Sequence, residues 1–350
     1  ISIPIQKPIQ DVRQTGYYQA EEGEQAYLSF GKVLCSWDDV VKRLALNILS
    51  NYLTENNNSP LKKAVLSEGL AQDVYCYIDE SVQSQPVVFV AKQIDIDHEA
   101  DFWQILSDVK NSILENGIDK TELNAVINQI EFSVKEISEP KALGRNMFAL
   151  STWLYGGDPM DMLDFSGLWD KLRQLAETDY FEKLLCEIPF TAEESAVYVM
   201  LPSATRDEEI LAQEKETLKK AKASFSDEQI CDLLKQNEKL VAWQKEDNKA
   251  EDLATLPVLP LSAVSKTPLA ISTEIKNDVI FHKTADNGIT HINLYFSLTG
   301  IDKKEYGAIS FLTNILGELP TKSTALSQLK QKLKSTIGVI DYNVSAYAKP

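Results

Sequence analysis

The chain has 350 residues, 44% of them hydrophobic, and its 35 basic against 52 acidic side chains leave a formal net charge of −17. That length outgrows one ordinary domain and supplies enough apolar residues for large cores. A surface so negative repels a phosphate backbone, which excludes nucleic acid as a partner, while it suits solubility and attracts basic peptides.

Cys35, Cys76, Cys186 and Cys231 lie far apart and form no C-x-x-C pair. The pattern fits a reducing compartment or simply no disulfide framework. No apolar run approaches the roughly 20 residues that span a bilayer, so no membrane segment is expected. The sequence opens on Ile1 rather than Met, and the native N-terminus is expected upstream.

Residues 1–22 read as an extended, proline-punctuated lead-in. Residues 26–34 predict a buried strand, and Asp38 a cap for an amphipathic helix carrying Leu44, Leu46, Ile48, Leu49 and Leu53. Asn56, Asn57 and Asn58 break that helix; Ser59 and Pro60 start another, which Gly69 closes. Strands are predicted at 73–78 and 86–94, around a polar turn. Three helices follow: 99–116, one beginning at the cap-like Asp119, and one after Pro140 that carries Met147, Leu150 and Leu154 and stops at Gly156-Gly157-Asp158-Pro159. A short helix at 179–186 and a strand at 195–201 complete a domain over 23–203. The order describes an antiparallel sheet with helices packed on one face, an α+β domain.

From 204 to 262 charges dominate, and two helical stretches meet near Ser226, which offers a cap for the second. This reads as a helical hairpin followed by an extended linker. Residues 263–350 begin again: strand 278–283, a turn at Asp286-Asn287-Gly288, strand 291–298, two helices, the closing Gly338 and strand 339–347. Strand, helix, helix, glycine, strand repeats the plan of 27–77, and such a repeat speaks to architecture more than any single motif. The second copy stops after one strand, so a C-terminal truncation is expected, and with it self-association through the unpaired edge.

Duplicated α+β domains joined by a helical hairpin resemble the insulinase (pitrilysin) family of zinc metallopeptidases, and most of all its presequence-protease branch. The stretches that carry the resemblance are Ala26-Tyr27-Leu28-Ser29-Phe30 with Trp37-Asp38, Ser59-Pro60-Leu61-Lys62-Lys63-Ala64 running to Gly69, and Trp153-Leu154-Tyr155-Gly156-Gly157-Asp158-Pro159. The resemblance implies a fold of ferredoxin-like, LuxS-metallohydrolase-like type. It also implies that 23–203 is a second, non-catalytic domain, that 263–350 opens a third, and that the halves close around peptide substrates with the hairpin as hinge. Family and cysteine usage together point to the cytoplasm.

Enzymes of this family hold zinc with H-x-x-E-H, two imidazoles on one helix face and a glutamate as general base. The sequence has only His98, His282 and His291, without that spacing. No catalytic residue and no metal ligand is therefore assigned; zinc is expected in the parent protein, bound outside this chain. G-x-S-x-G, Walker and G-x-G-x-x-G motifs are absent as well. In relatives such as insulin-degrading enzyme a strand after the closing glycine binds substrate by β-augmentation, and the resemblance places Val74, Tyr75, Cys76 and Tyr77 there. A plain sheet strand accounts for the same residues. Two functions stay open: a non-catalytic part of a zinc oligopeptidase, or a catalytically inactive relative acting as a scaffold.

Overall fold

Leu28 and Phe30 are buried while Tyr27, Ser29 and Gly31 between and beside them are not. This period of two makes a half-buried strand, and the first unit assembles around it. The computed structural model describes residues 7–136, 141–165, 167–267, 270–283 and 288–345. The chain divides into two compact units, Ile1–Ala204 with Asp286–Pro350, and Thr205–Ala285.

In chain order the first unit runs β1 (Val12–Gln19), β2 (Ala26–Ser36), α1 (Val40–Thr54), α2 (Pro60–Ser67), β3 (Asp73–Ile78), β4 (Ser84–Ile94), α3 (Glu99–Asn116), α4 (Lys120–Lys135), α5 (Lys141–Trp153), α6 (Leu168–Ala176), α7 (Tyr180–Glu187) and β5 (Ala196–Ser203). The strands form one sheet in the order β1-β5-β2-β4-β3. Its helix-covered face buries Leu28, Phe30, Val74, Phe89, Ala91, Val197 and Val199. Phe30 stacks on Phe89 with ring centroids 5.0 Å apart, and Trp103 of α3 and Phe190 close the cluster from above at 4.8 and 5.4 Å. Each such side chain contributes about 1.5–3 kcal/mol on leaving water, so the cluster anchors helix layer to sheet.

The fold is α+β, and the structure corrects several expectations. The lead-in contains a strand: β1 pairs with β5, and the pairing is parallel, so the sheet is mixed rather than antiparallel. Asp39, not Asp38, caps α1, its carboxylate accepting from Lys42 N–H at 3.0 Å. Helix α6, unforeseen, buries Trp169, Leu172 and Ala176 along one stripe. Asp119 caps α4 as expected, accepting from the N–H groups of Thr121 and Glu122.

In the second unit α8 (Arg206–Ser224) and α9 (Asp227–Lys245) are the charged pair, and Ser226 and Gln229 form a full capping box between them. A short α10 (Ala250–Leu253) follows. The hairpin is not the expected one. β7 (Val279–Lys283) pairs with β6 (Ser272–Lys276), through Asn277 and Asp278 with φ of 47° and 62°. Two successive positive φ values are what a two-residue type I′ turn demands, and Asn and Asp tolerate them. Asp286 and Asn287, the expected turn, lie outside the described residues.

Residues 288–345 belong to the first unit. They contribute α11 (Tyr306–Ile315) and α12 (Leu326–Thr336), while residues 291–298 and 339–345, expected as strands, are not strands among the described residues. A strand needs a neighbour to satisfy its backbone, and none of the described residues supplies one. Residues 346 and 347 of the expected last strand lie outside the described residues. Helix α12 packs on α4 instead: Lys334 bonds Glu122 at 3.4 Å and also reaches Glu55, and Asn128 Nδ2 donates to Ser335 O at 3.4 Å.

Candidate functional site

Because β3, β4, β2 and β5 are in register, side chains of the helix-free face fall into rows. One row runs Tyr75, Val90, Ser29, Tyr198, Gln14; the next runs Tyr77, Val88, Gly31, Ala196, Val12. Alternation along β3 thus separates the four residues of the sequence expectation. Val74 is buried and Cys76 turns toward α1, whereas Tyr75 and Tyr77 stand on the open face with stacked rings 6.2 Å apart. Lys92 lies 5.0 Å over the Tyr75 ring, a cation–π contact. Tyr77 and, across the sheet, Tyr198 remain 46% and 41% exposed, and unpaired aromatic surface of this kind is what a binding face offers.

Between these tyrosines the face sinks into a groove of about 670 Å³ whose lining includes Ser29, Gly31, Val88, Tyr155, Ala196 and Tyr198. The floor is low because its residues are small. Gly31 is enforced by packing: a Cβ there would stand 2.4 Å from Val87 O. Gly16 of β1 likewise clears room for the Tyr198 ring, whose hydroxyl would be 2.1 Å from a Cβ. The sequence reading passed over Tyr198, Gly16 and Gly31. Glycine inside a strand was the available signal, since it marks close approach of another group.

Cys76 is structural. Its S–H donates to Ser50 Oγ at 3.2 Å and its N–H to Thr54 Oγ1 at 3.1 Å. Burial pushes the thiol up to about 12, the Ser50 bond offsetting part of the shift, so Cys76 is no nucleophile.

The residues present do not fit a zinc ion. Among the described residues no three His, Cys, Asp or Glu side chains converge into a set of ligands. His98 Nδ1 is 3.1 Å from Asp101 Oδ2, and the Asp101 bond together with the charge of Asp95 raises its pKa, which disfavours the neutral imidazole a metal needs. His282 Nδ1 is 3.0 Å from Thr273 Oγ1. Nor is any helix among the described residues long and apolar enough to cross a membrane.

Two family models match this chain, one described as Peptidase M16 inactive domain over residues 2–130, and one as the associated region of subfamily C of the same peptidases over residues 200–350. The chain belongs to the M16 peptidase family. Its first matched part is the inactive domain of that family, which agrees with the missing H-x-x-E-H. Among curated proteins, this M16 chain is 26% identical over 358 residues to Protein HypA of Clostridium perfringens, covering 99% of this chain and 37% of that protein. It is 24% identical over 322 residues to presequence protease 1, chloroplastic/mitochondrial, of Arabidopsis thaliana, covering 88% and 30%. The mitochondrial presequence protease of Kluyveromyces lactis matches at 24% over 314 residues, 88% and 31%. The M16 chain therefore spans about a third of the length of the curated relatives it matches. Among solved structures, the peptidase M16 inactive domain from Pseudomonas fluorescens overlaps 58% of this chain and 46% of that one at 16% identity, with a TM-score of 0.43.

Proposed function

We propose that this chain is the peptide-contacting, non-catalytic part of a longer zinc-dependent peptidase similar to presequence protease, and that Tyr75 and Tyr77 touch the substrate while Val74 and Cys76 hold the strand. The observation that carries this reading is the open face itself. Tyr77 and Tyr198 stand exposed on either side of a groove floored by Gly31 and Ser29, on a sheet whose other face is covered by helices. An apolar groove with a few polar groups around it is the usual form of a ligand site. Zinc and the catalytic glutamate come from outside this chain. Peptides are the partners, and the four cysteines, all free, suit a reducing compartment such as the cytoplasm.

The test is hydrolysis of a quenched peptide by the longer polypeptide, with and without chelator. Chelator-sensitive cleavage is expected, and Tyr77→Ala with Tyr198→Ala raises KM several-fold at little change in kcat, the signature of lost uniform binding. Binding without cleavage supports the scaffold instead; neither binding nor cleavage overturns both. Residues 339–345, without a strand partner among the described residues, support the further proposal that copies associate there, read by sedimentation at rising concentration.

A further inference from the structure

The sheet ends on β3 and β1, and the two edges differ. On β3 the N–H of Asp79 donates to Pro86 O at 3.1 Å, which directs the odd-numbered residues toward β4 and leaves Val74, Cys76 and Ile78 facing outward. That edge is closed at its centre. Cys76 N–H is taken by Thr54 Oγ1, which itself donates to Ser50 O at 2.9 Å, and α1 lies alongside. An incoming backbone would have to displace a satisfied, buried threonine.

On β1 nothing comparable stands in the way. Ala20 N–H donates to Ser203 O at 3.1 Å, continuing the parallel ladder, so the even-numbered residues face β5. Arg13, Thr15 and Tyr17 then turn their N–H and C=O groups outward, and these backbone groups have no hydrogen-bond partner among the described residues. Exposed edges are ordinarily blunted by shortness, proline, lysine or a bulge. β1 is eight residues long, pairs without a register shift, and contains neither proline nor lysine. Its one charge is drawn aside, the Arg13 guanidinium gripping the Glu99 carboxylate through two bonds of 2.6 and 2.7 Å.

We infer that the outer edge of β1 is a strand-addition site for an extended basic peptide. This rests on the peptidase reading above and gives its substrate a backbone register. Charge selects the occupant. Asp11 precedes the strand, and Glu21, Glu22 and Glu24 follow it, on a chain of net charge −17. These groups attract lysine and arginine side chains, and they repel the same edge of a second copy. Main-chain bonds would give affinity without demanding a sequence, the pattern expected of a surface that receives many peptides. Gly16 adds the open-face contact, since its missing side chain lets the Tyr198 ring lie across β1 where an added strand would meet it.

The experiment is amide hydrogen exchange on the 350-residue chain, with and without a capped peptide of alternating Arg and Val, about ten residues long to match the strand. Exchange at Arg13, Thr15 and Tyr17 should slow about tenfold as those donors become bonded, while Val74, Cys76 and Ile78 stay unchanged. The same peptide N-methylated at alternate residues should bind about three- to tenfold more weakly, the loss expected when main-chain bonds go unmade. Thr15→Pro removes an outward donor and no ladder bond, so the sheet stays intact, and it should weaken the peptide similarly. Protection on β3 instead, equal binding of the methylated peptide, or no binding overturns the inference. So does β1 protection that appears with chain concentration alone, which means a second copy. Failure here is separable from failure of the peptidase reading, which hydrolysis by the longer polypeptide decides independently.

Discussion

Gly157 lies against the indole of Trp37, so closely that a Cβ at 157 would stand 2.8 Å from Cζ3 and 3.1 Å from Cη2. Two stretches that carried the family resemblance, one after β2 and one after α5, thus meet in space. Gly156, at φ 88°, turns the chain out of the helix, and Gly157 N–H donates back to Thr152 O at 3.1 Å. The turn leaves Tyr155 5.6 Å from Trp37 and its hydroxyl donating to Ser81 O at 3.3 Å, on the rim of the groove.

Gly157→Ala should therefore destabilise the fold by about 1–2 kcal/mol through overpacking. Thermal unfolding should shift down by about 2–4 °C. Trp37→Leu, which makes room, should rescue part of the loss in the double variant; strict additivity would show that the contact is not the cause.

Lys334 ties α12 to the sheet domain. Its side chain is 11% exposed between Glu55 and Glu122, and beyond it Gly338 presses on Phe132, where a Cβ would come within 2.1 Å of Cδ2. Lys334→Ala leaves two carboxylates facing each other, at a cost of about 1–2 kcal/mol after allowing for their partial exposure. Hydrogen exchange across α12 should speed up roughly tenfold, with α1 and α4 little changed. Unchanged exchange across α12 would mean that the apolar contacts hold it alone.

The cysteines should divide into two classes. Burial pushes the Cys35 thiol up to about 11 and that of Cys76 to about 12, while Cys186 and Cys231 are exposed. Maleimide at about pH 8, near the ordinary thiol value, should label Cys186 and Cys231 and spare the other two until the chain unfolds. The raised values also favour the protonated thiol in the folded state. Stability from this source is full below the unfolded thiol value of about 8.5, and is lost as pH climbs from there toward 11 and 12. Rapid labelling of Cys76 in the native chain would show that α1 does not cover it.

Acid should act through Glu131 and Glu99. Burial pushes the Glu131 carboxyl up, but bonds from Lys135 and Arg173 outweigh it; at Glu99 burial is likewise outweighed, by Arg13 and Trp103, and both values end below the ordinary range. A lowered value means stability that is present above the unfolded carboxyl pKa, about 4.3, and is lost as pH falls below it. Chemical denaturation midpoints should drop between about pH 5 and about 3, and Glu131→Gln should flatten part of that slope. An unaltered slope would show that other carboxylates dominate.

The local devices were legible. Asp119 as the cap of α4, Ser226 with Gln229, Pro60 at the first turn of α2 and the glycine stop after α5 each depend on a few neighbouring residues, so sequence alone states them. Of the candidate site, Tyr75 and Tyr77 could be named from their place after Gly69, yet Tyr198 could not, because nothing near it in sequence says that it shares a row with them.

What the sequence by itself determined is the α+β class, the helix pairs and their caps, the charged hairpin and the absence of H-x-x-E-H, all of which follow from period, capping chemistry and composition. Only the tertiary structure decided that residues 12–19 are a strand, that β1 runs parallel to β5, that β7 turns back at Asn277 rather than at Asn287, and that one sheet edge is capped by Thr54 while the other is bare. Strand pairing is settled by backbone donors and acceptors that are the same in every residue, so the sequence marks which segments want a neighbour and the packed fold alone says which neighbour they find.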